Sequence, residues 1–130
     1  MLLLKKEEMQ RVYSMREAVE AVKLAFKLFS EGKATVPLRT NIDVPKGAGQ
    51  ALFMPAYVEE TESLGVKIVS VFPNNVKVGR PAVHATMVLL EPQTGEVCAI
   101  MDGTYLTQLR TGAAAGAATD LLSRKDASVG

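Results

Sequence analysis

The sequence predicts an α+β fold in which a mixed, largely antiparallel sheet packs with two long helices. Three observations carry that expectation. Apolar and polar residues alternate in several short runs, two long segments repeat their apolar residues at helical spacing, and strands and helices do not alternate strictly along the chain. With 130 residues, 48% of them apolar and 22% charged, the chain suits one folded domain with a real core.

Leu2 to Leu4 reads as a short strand, and Lys6 to Tyr13 as one or two helical turns. Ser14 opens the clearest helix, since it stands three residues before Glu17, the spacing at which hydroxyl and carboxylate each satisfy a free backbone group. Val19, Val22, Phe26 and Phe29 then recur at steps of three and four, giving an amphipathic helix that ends at Gly32. Leu38 to Val44 alternates and is closed by the turn residues Pro45 to Gly49, so Gln50 to Tyr57 is expected to return as its partner strand. Gly65 to Phe72, rich in Val and Ile, supplies a further strand, and Asn74 to Pro81 a loop. Val83 to Leu90 and Glu96 to Met101 are joined by a reversal containing Pro92 and Gly95 and form an antiparallel hairpin. Thr104 to Ser123 has no proline and many helix formers, and is the second long helix. Its Gly112 to Ala118 run of small residues admits either close packing of another backbone or contact with a ligand. Ser128, Val129 and Gly130 read as the first residues of a strand.

Fifteen basic and fourteen acidic side chains leave a net charge of +1, which gives no global field toward nucleic acid or an anionic membrane. Met1 to Leu4 is far too short to be a signal peptide or to span a bilayer. The single cysteine, Cys98, lies in an apolar run and reads as a buried small hydrophobe, and with no disulfide partner it points to a reducing, cytoplasmic setting. His84, the one histidine, has no Asp, Glu or Cys at ligand spacing, so no metal site is expected. The chain contains neither a G-x-x-x-x-G-K-[ST] phosphate loop nor a G-x-S-x-G elbow, and the scattered methionines, Met87 and Met101 among them, read as core filler.

Three cations stand inside patterned segments: Arg39, Lys67 and Arg110. Lys67 lies between Val66 and Ile68 and faces away from both, either to solvent or into an enclosure. An enclosed lysine is desolvated, which brings its pKa toward the range useful for acid or base chemistry. The planar fork of Arg39 or Arg110 suits the carboxylate of an amino acid.

The stretch Met101-Asp102-Gly103-Thr104-Tyr105-Leu106-Thr107-Gln108-Leu109-Arg110-Thr111-Gly112-Ala113 closely resembles the signature of the ornithine cyclodeaminase/mu-crystallin family. Pro37-Leu38-Arg39, Leu52-Phe53-Met54-Pro55-Ala56, Gly65-Val66-Lys67, Phe72-Pro73-Asn74-Asn75 and Gly79-Arg80-Pro81 extend the resemblance over nearly the whole chain. It implies a nicotinamide-dependent enzyme acting on a small amino or imino acid, with hydride exchange at the α carbon. The cofactor would be NAD, with NADP as the alternative. Cyclodeaminases, archaeal-type alanine dehydrogenases and ketimine reductases are the enzymatic options, and a crystallin-like binding protein the non-catalytic one. By the same resemblance Arg39, Lys67 and Arg110 hold the substrate, Lys67 assists proton transfer, and Arg110 and Thr111 lie near the cofactor. Residues 1–130 would then form a substrate-binding domain that dimerises through its sheet and stops before a Rossmann domain that binds most of the cofactor, so that this piece alone is inactive. Relatives often carry Thr or Ser near Ala82, and ornithine-specific members place a carboxylate where this sequence has Leu52 and Phe53.

Overall fold

A computed structural model describes residues 1–128. The expected strand start at Ser128 to Gly130 falls largely on Val129 and Gly130, outside the described residues, and Ser128 itself is not in a strand. The elements run β1 (Leu2–Leu4), α1 (Lys6–Val12), α2 (Met15–Ser30), β2 (Ala34–Thr35), β3 (Thr40–Val44), β4 (Gly49–Val58), β5 (Ser63–Val71), β6 (Val83–Leu90), β7 (Val97–Asp102) and α3 (Gly103–Leu122). Short 3-10 turns span Pro45–Gly47 and Pro73–Val78, the second starting one residue before the expected loop and overlapping it.

Among the described residues seven strands form one sheet in the order β1-β7-β6-β5-β4-β2, with β3 beside β2 on the same edge of β4. All pairings are antiparallel except β1 with β7, so the sheet is mixed and largely antiparallel. Both expected hairpins form. At the β6–β7 reversal Gly95 takes a left-handed φ of 76° and its N–H donates to Glu91 O at 2.8 Å.

Directly paired residues share a face of the sheet. Leu4, Met101, Met87, Lys67 and Met54 therefore make one transverse row on the face that α2 and α3 cover. The opposite face carries Phe53, Val66, Ile68, Val88 and Ile100, and neither long helix packs on it.

The capping box of α2 forms as read. Ser14 Oγ accepts from Glu17 N at 3.2 Å, and Glu17 accepts from Ser14 N at 2.8 Å. At the other end Gly32 adopts φ 74°, which lets its N–H reach Phe29 O and Lys33 N–H reach Leu28 O, closing the last turn.

Side chains of α2 meet α3 in step. Met15 lies against Gly112, Val19 against Gly116, and Lys23 pairs with Asp120, so the two helices run parallel. A Cβ on Gly116 would stand 3.0 Å from Val19 Cγ2, which makes close helix packing the reason for that glycine. Ala113, fully buried, forms the local core with Ala18 and Leu109.

Three expectations need correction. The α2 stripe buries Ala18 and Leu28 but leaves Phe26 and Phe29 58% and 60% exposed. The parallel register explains this, because α3 ends at Leu122, shortly after the Lys23–Asp120 contact, and the last turns of α2 overhang it. Cys98 is exposed rather than buried. The register passes from Leu90↔Val97 to Leu89↔Ala99, so Cys98 is the extra residue of a bulge and leaves the ladder. β3 starts at Thr40, not Leu38, and Leu38 is almost fully exposed beside Pro37.

Candidate functional site

The start of α3 is fixed by three contacts. The Asp102 carboxylate accepts from Thr104 N at 2.9 Å and Tyr105 N at 3.0 Å, satisfying free donors of the first turn. Thr104 Oγ1 accepts from Ala85 N at 3.1 Å, filling in where the β7 ladder stops at Asp102↔Thr86. Gly103 lies so close to β6 that an added Cβ would meet the backbone of Ala85 and Thr86 at 2.8–2.9 Å. The helix is thus anchored at its first turn, and Thr107 and Arg110 follow one and two turns on.

A cavity of about 440 Å³ lies between the helices and the sheet. Its floor is Lys67, Met87 and Met101, neighbours in the transverse row of the sheet. Ala18, Ala21, Val22 and Ala25 of α2 form one wall, Leu106, Thr107, Leu109 and Arg110 of α3 the other, and Tyr13 stands at the helix junction. Among the described residues its lining contains two cations and no carboxylate.

Lys67 is half-buried there, and burial, with the Arg110 guanidinium as a second cause, pushes its pKa below the ordinary lysine range. Tyr13 shifts the other way: burial first, and then the Glu17 carboxylate, raise its phenol. A site with two convergent cations and apolar walls can grip one carboxylate and exclude water from what is attached to it.

Lys67 and Arg110 thus share one cavity, whereas Arg39 is exposed, does not line it, and directly precedes β3. Its register position is nonetheless near: Thr40 pairs with Phe53, so one step back lies level with Met54, the partner of Lys67. Thr111 is exposed, and its hydroxyl donates to Thr107 O at 2.7 Å.

His84 is exposed on a shallow groove shared with Lys5, Thr86 and Asp102. Among the described residues no three His, Cys, Asp or Glu side chains are grouped to hold a metal ion.

Reading the sequence left out the α2 wall, Tyr13 and Thr107, and took Met87 and Met101 for core filler. The β5–β6 and β6–β7 registers together put both methionines level with Lys67, which takes pairings distant in sequence, whereas Thr107 stands three residues before Arg110 on one side of a helix. Nothing local in α2 says which of its faces the cavity uses.

The model of the ornithine cyclodeaminase/mu-crystallin family matches residues 1–129. This chain belongs to that family. It is 38% identical over 127 residues to the Delta(1)-pyrroline-2-carboxylate reductase of Bacillus cereus, covering 98% of this chain and 39% of the relative. The structure of Thermococcus litoralis Delta(1)-pyrroline-2-carboxylate reductase in complex with NADH and L-proline superposes with a TM-score of 0.88 at 49% identity, over 97% of this chain and 39% of that one. An archaeal alanine dehydrogenase dimer with bound NAD matches with a TM-score of 0.86 at 42% identity, over 98% of this chain and 38% of that one. The family member described here therefore spans about two fifths of the length of such relatives.

Proposed function

We propose that this chain is the substrate-binding and dimerisation part of a nicotinamide-dependent enzyme that exchanges hydride at the α carbon of a small amino or imino acid. The observation that carries this is the cavity in which Lys67 and Arg110 face apolar walls with no carboxylate. Family membership supports it, as do relatives whose names specify a cyclic imino acid reductase and an alanine dehydrogenase.

In this reading Arg110 and Lys67 grip the substrate carboxylate, with Arg39 reaching the same ligand from the head of β3. The remainder of the substrate lies against Ala21, Val22, Met87, Met101 and Leu106. An ω-ammonium would meet that wall unpaired, at a cost of several kcal/mol, so the preferred substrate is an apolar or cyclic α-imino acid rather than ornithine. Reduction of its C=N bond needs a hydride at carbon and a proton at nitrogen. Lys67, its proton loosened by burial and by Arg110, gives that proton and regains one from solvent.

Arg110 and Thr111 present exposed side chains on one helix, and the donors of a guanidinium suit a phosphate-bearing group, so both fit the neighbourhood of NAD or NADP. The nicotinamide supplies or accepts the hydride. Most of the cofactor would be held by a dinucleotide-binding domain outside residues 1–130. The apolar face of Phe53, Val66, Ile68, Val88 and Ile100 suits pairing with a second copy. Ile68→Asp is expected to shift sedimentation from dimer to monomer, and an unchanged dimer would remove the sheet from the interface. A cytoplasmic setting accords with a single free cysteine.

The test is a steady-state assay of the complete enzyme, following nicotinamide absorbance with cyclic imino acids, alanine and ornithine under both cofactors. Turnover of the apolar imino acid well above that of ornithine is expected. Absence of nicotinamide turnover with every amino and imino acid would refute the reading.

A further inference from the structure

Among the described residues, one buried side-chain polar atom lacks a hydrogen-bond partner: Thr107 Oγ1. Thr111, one turn later, makes the usual threonine back-bond to the carbonyl four residues earlier, at 2.7 Å. Thr107 sits in the same helix and leaves its own hydroxyl unused. Leaving a buried hydroxyl unpaired costs more than a made hydrogen bond gains, and valine fills the same space without that cost. A hydroxyl kept there calls for a partner that arrives from outside the fold.

Its location says which partner. Thr107 lines the cavity of Lys67 and Arg110 and stands three residues before Arg110, on the same side of α3. A carboxylate offers about four acceptor positions, which two cations do not exhaust. We propose that the Thr107 hydroxyl donates a hydrogen bond to the substrate carboxylate held by Lys67 and Arg110, making it a further, uncharged binding group of the site. Oγ1 is shielded from solvent as it stands, so the donation requires the side chain to turn about χ1 toward the ligand. The inference rests on the reading of this cavity as the substrate site.

The complete enzyme with NADH, Δ1-pyrroline-2-carboxylate as substrate and L-proline as binding probe tests it through Thr107→Val and Thr107→Ser. Thr107→Val is expected to raise both KM and the L-proline Kd about tenfold, as for one lost hydrogen bond to a charged group. The change in kcat should be less than about twofold, because the contact is made equally in ground and transition states. Thr107→Ser, which keeps the hydroxyl, should restore both constants to near the wild-type values. Wild-type KM and Kd in Thr107→Val would overturn the proposal, as would Thr107→Ser behaving like Thr107→Val, since shape and not the hydroxyl would then matter. A wild-type enzyme that neither binds L-proline nor reduces the imine would overturn the substrate reading of the cavity itself, a separate and distinguishable failure.

Discussion

Substituting Gly103 by alanine would strike the joint that places Arg110 and Thr107. The added Cβ would lie 2.8 Å from Ala85 C and Thr86 N and 2.9 Å from Thr86 C, where ordinary contact begins near 3.4 Å. These are backbone atoms of a strand paired to β5, so relief requires the first turn of α3 to back away by about 0.6 Å, the difference between 3.4 and 2.8 Å. Overpacking of this kind costs about 1–3 kcal/mol. The shift also loosens the Asp102 cap and the Thr104–Ala85 hydrogen bond, each worth about 1 kcal/mol. Alanine returns at most about 1 kcal/mol of helix propensity. The net expectation is a loss of about 2 kcal/mol, read as a lower urea midpoint at unchanged slope. Gly112→Ala is the control: its Cβ would meet only the flexible end of Met15 at 3.4 Å, so stability should rise by up to about 1 kcal/mol. If Gly103→Ala were as stable as the wild type, the close approach of α3 to β6 would not be what fixes the helix.

Lys67→Met should stabilise the protein at neutral pH. Burial and Arg110 lower the lysine pKa, so between its folded value and the ordinary lysine range the unfolded chain binds more protons, and wild-type stability rises with pH through that window. The advantage of Lys67→Met, measured by denaturation at several pH values, should therefore shrink as pH climbs toward the ordinary lysine range. Ser14→Ala should cost about 0.5–2 kcal/mol by removing the cap of α2. Hydrogen bonds from the Ser14 backbone and hydroxyl depress the Glu17 pKa, so its contribution is present above the ordinary glutamate range and lost as pH falls through the depressed value. Glu17→Gln should flatten that acid limb of the stability curve.

Much of the fold is legible because its signals are local. Alternation and turn residues specify the β3–β4 and β6–β7 hairpins, and Ser14 with Glu17 marks the start of α2. What stays hidden depends on partners distant in sequence. Leu2 to Leu4 reads as a strand, but nothing in three apolar residues says that it joins β7 in parallel. Periodicity shows that α2 is amphipathic, but not that α3 stops short and leaves Phe26 and Phe29 uncovered. An apolar flank suggests burial for Cys98, yet a one-residue bulge ejects it. For the site, Lys67 and Arg110 are visible as cations in patterned segments, and folding adds the wall of α2 that shares their cavity.

The most direct measurement of the central claim is the pKa of Lys67, followed by NMR of its ε-methylene group in the complete enzyme with and without L-proline. An anion seated between Lys67 and Arg110 offsets the repulsion from Arg110 and favours the charged amine directly, so ligand should raise that pKa. A pKa that stays depressed when L-proline is bound would show that the carboxylate is held elsewhere.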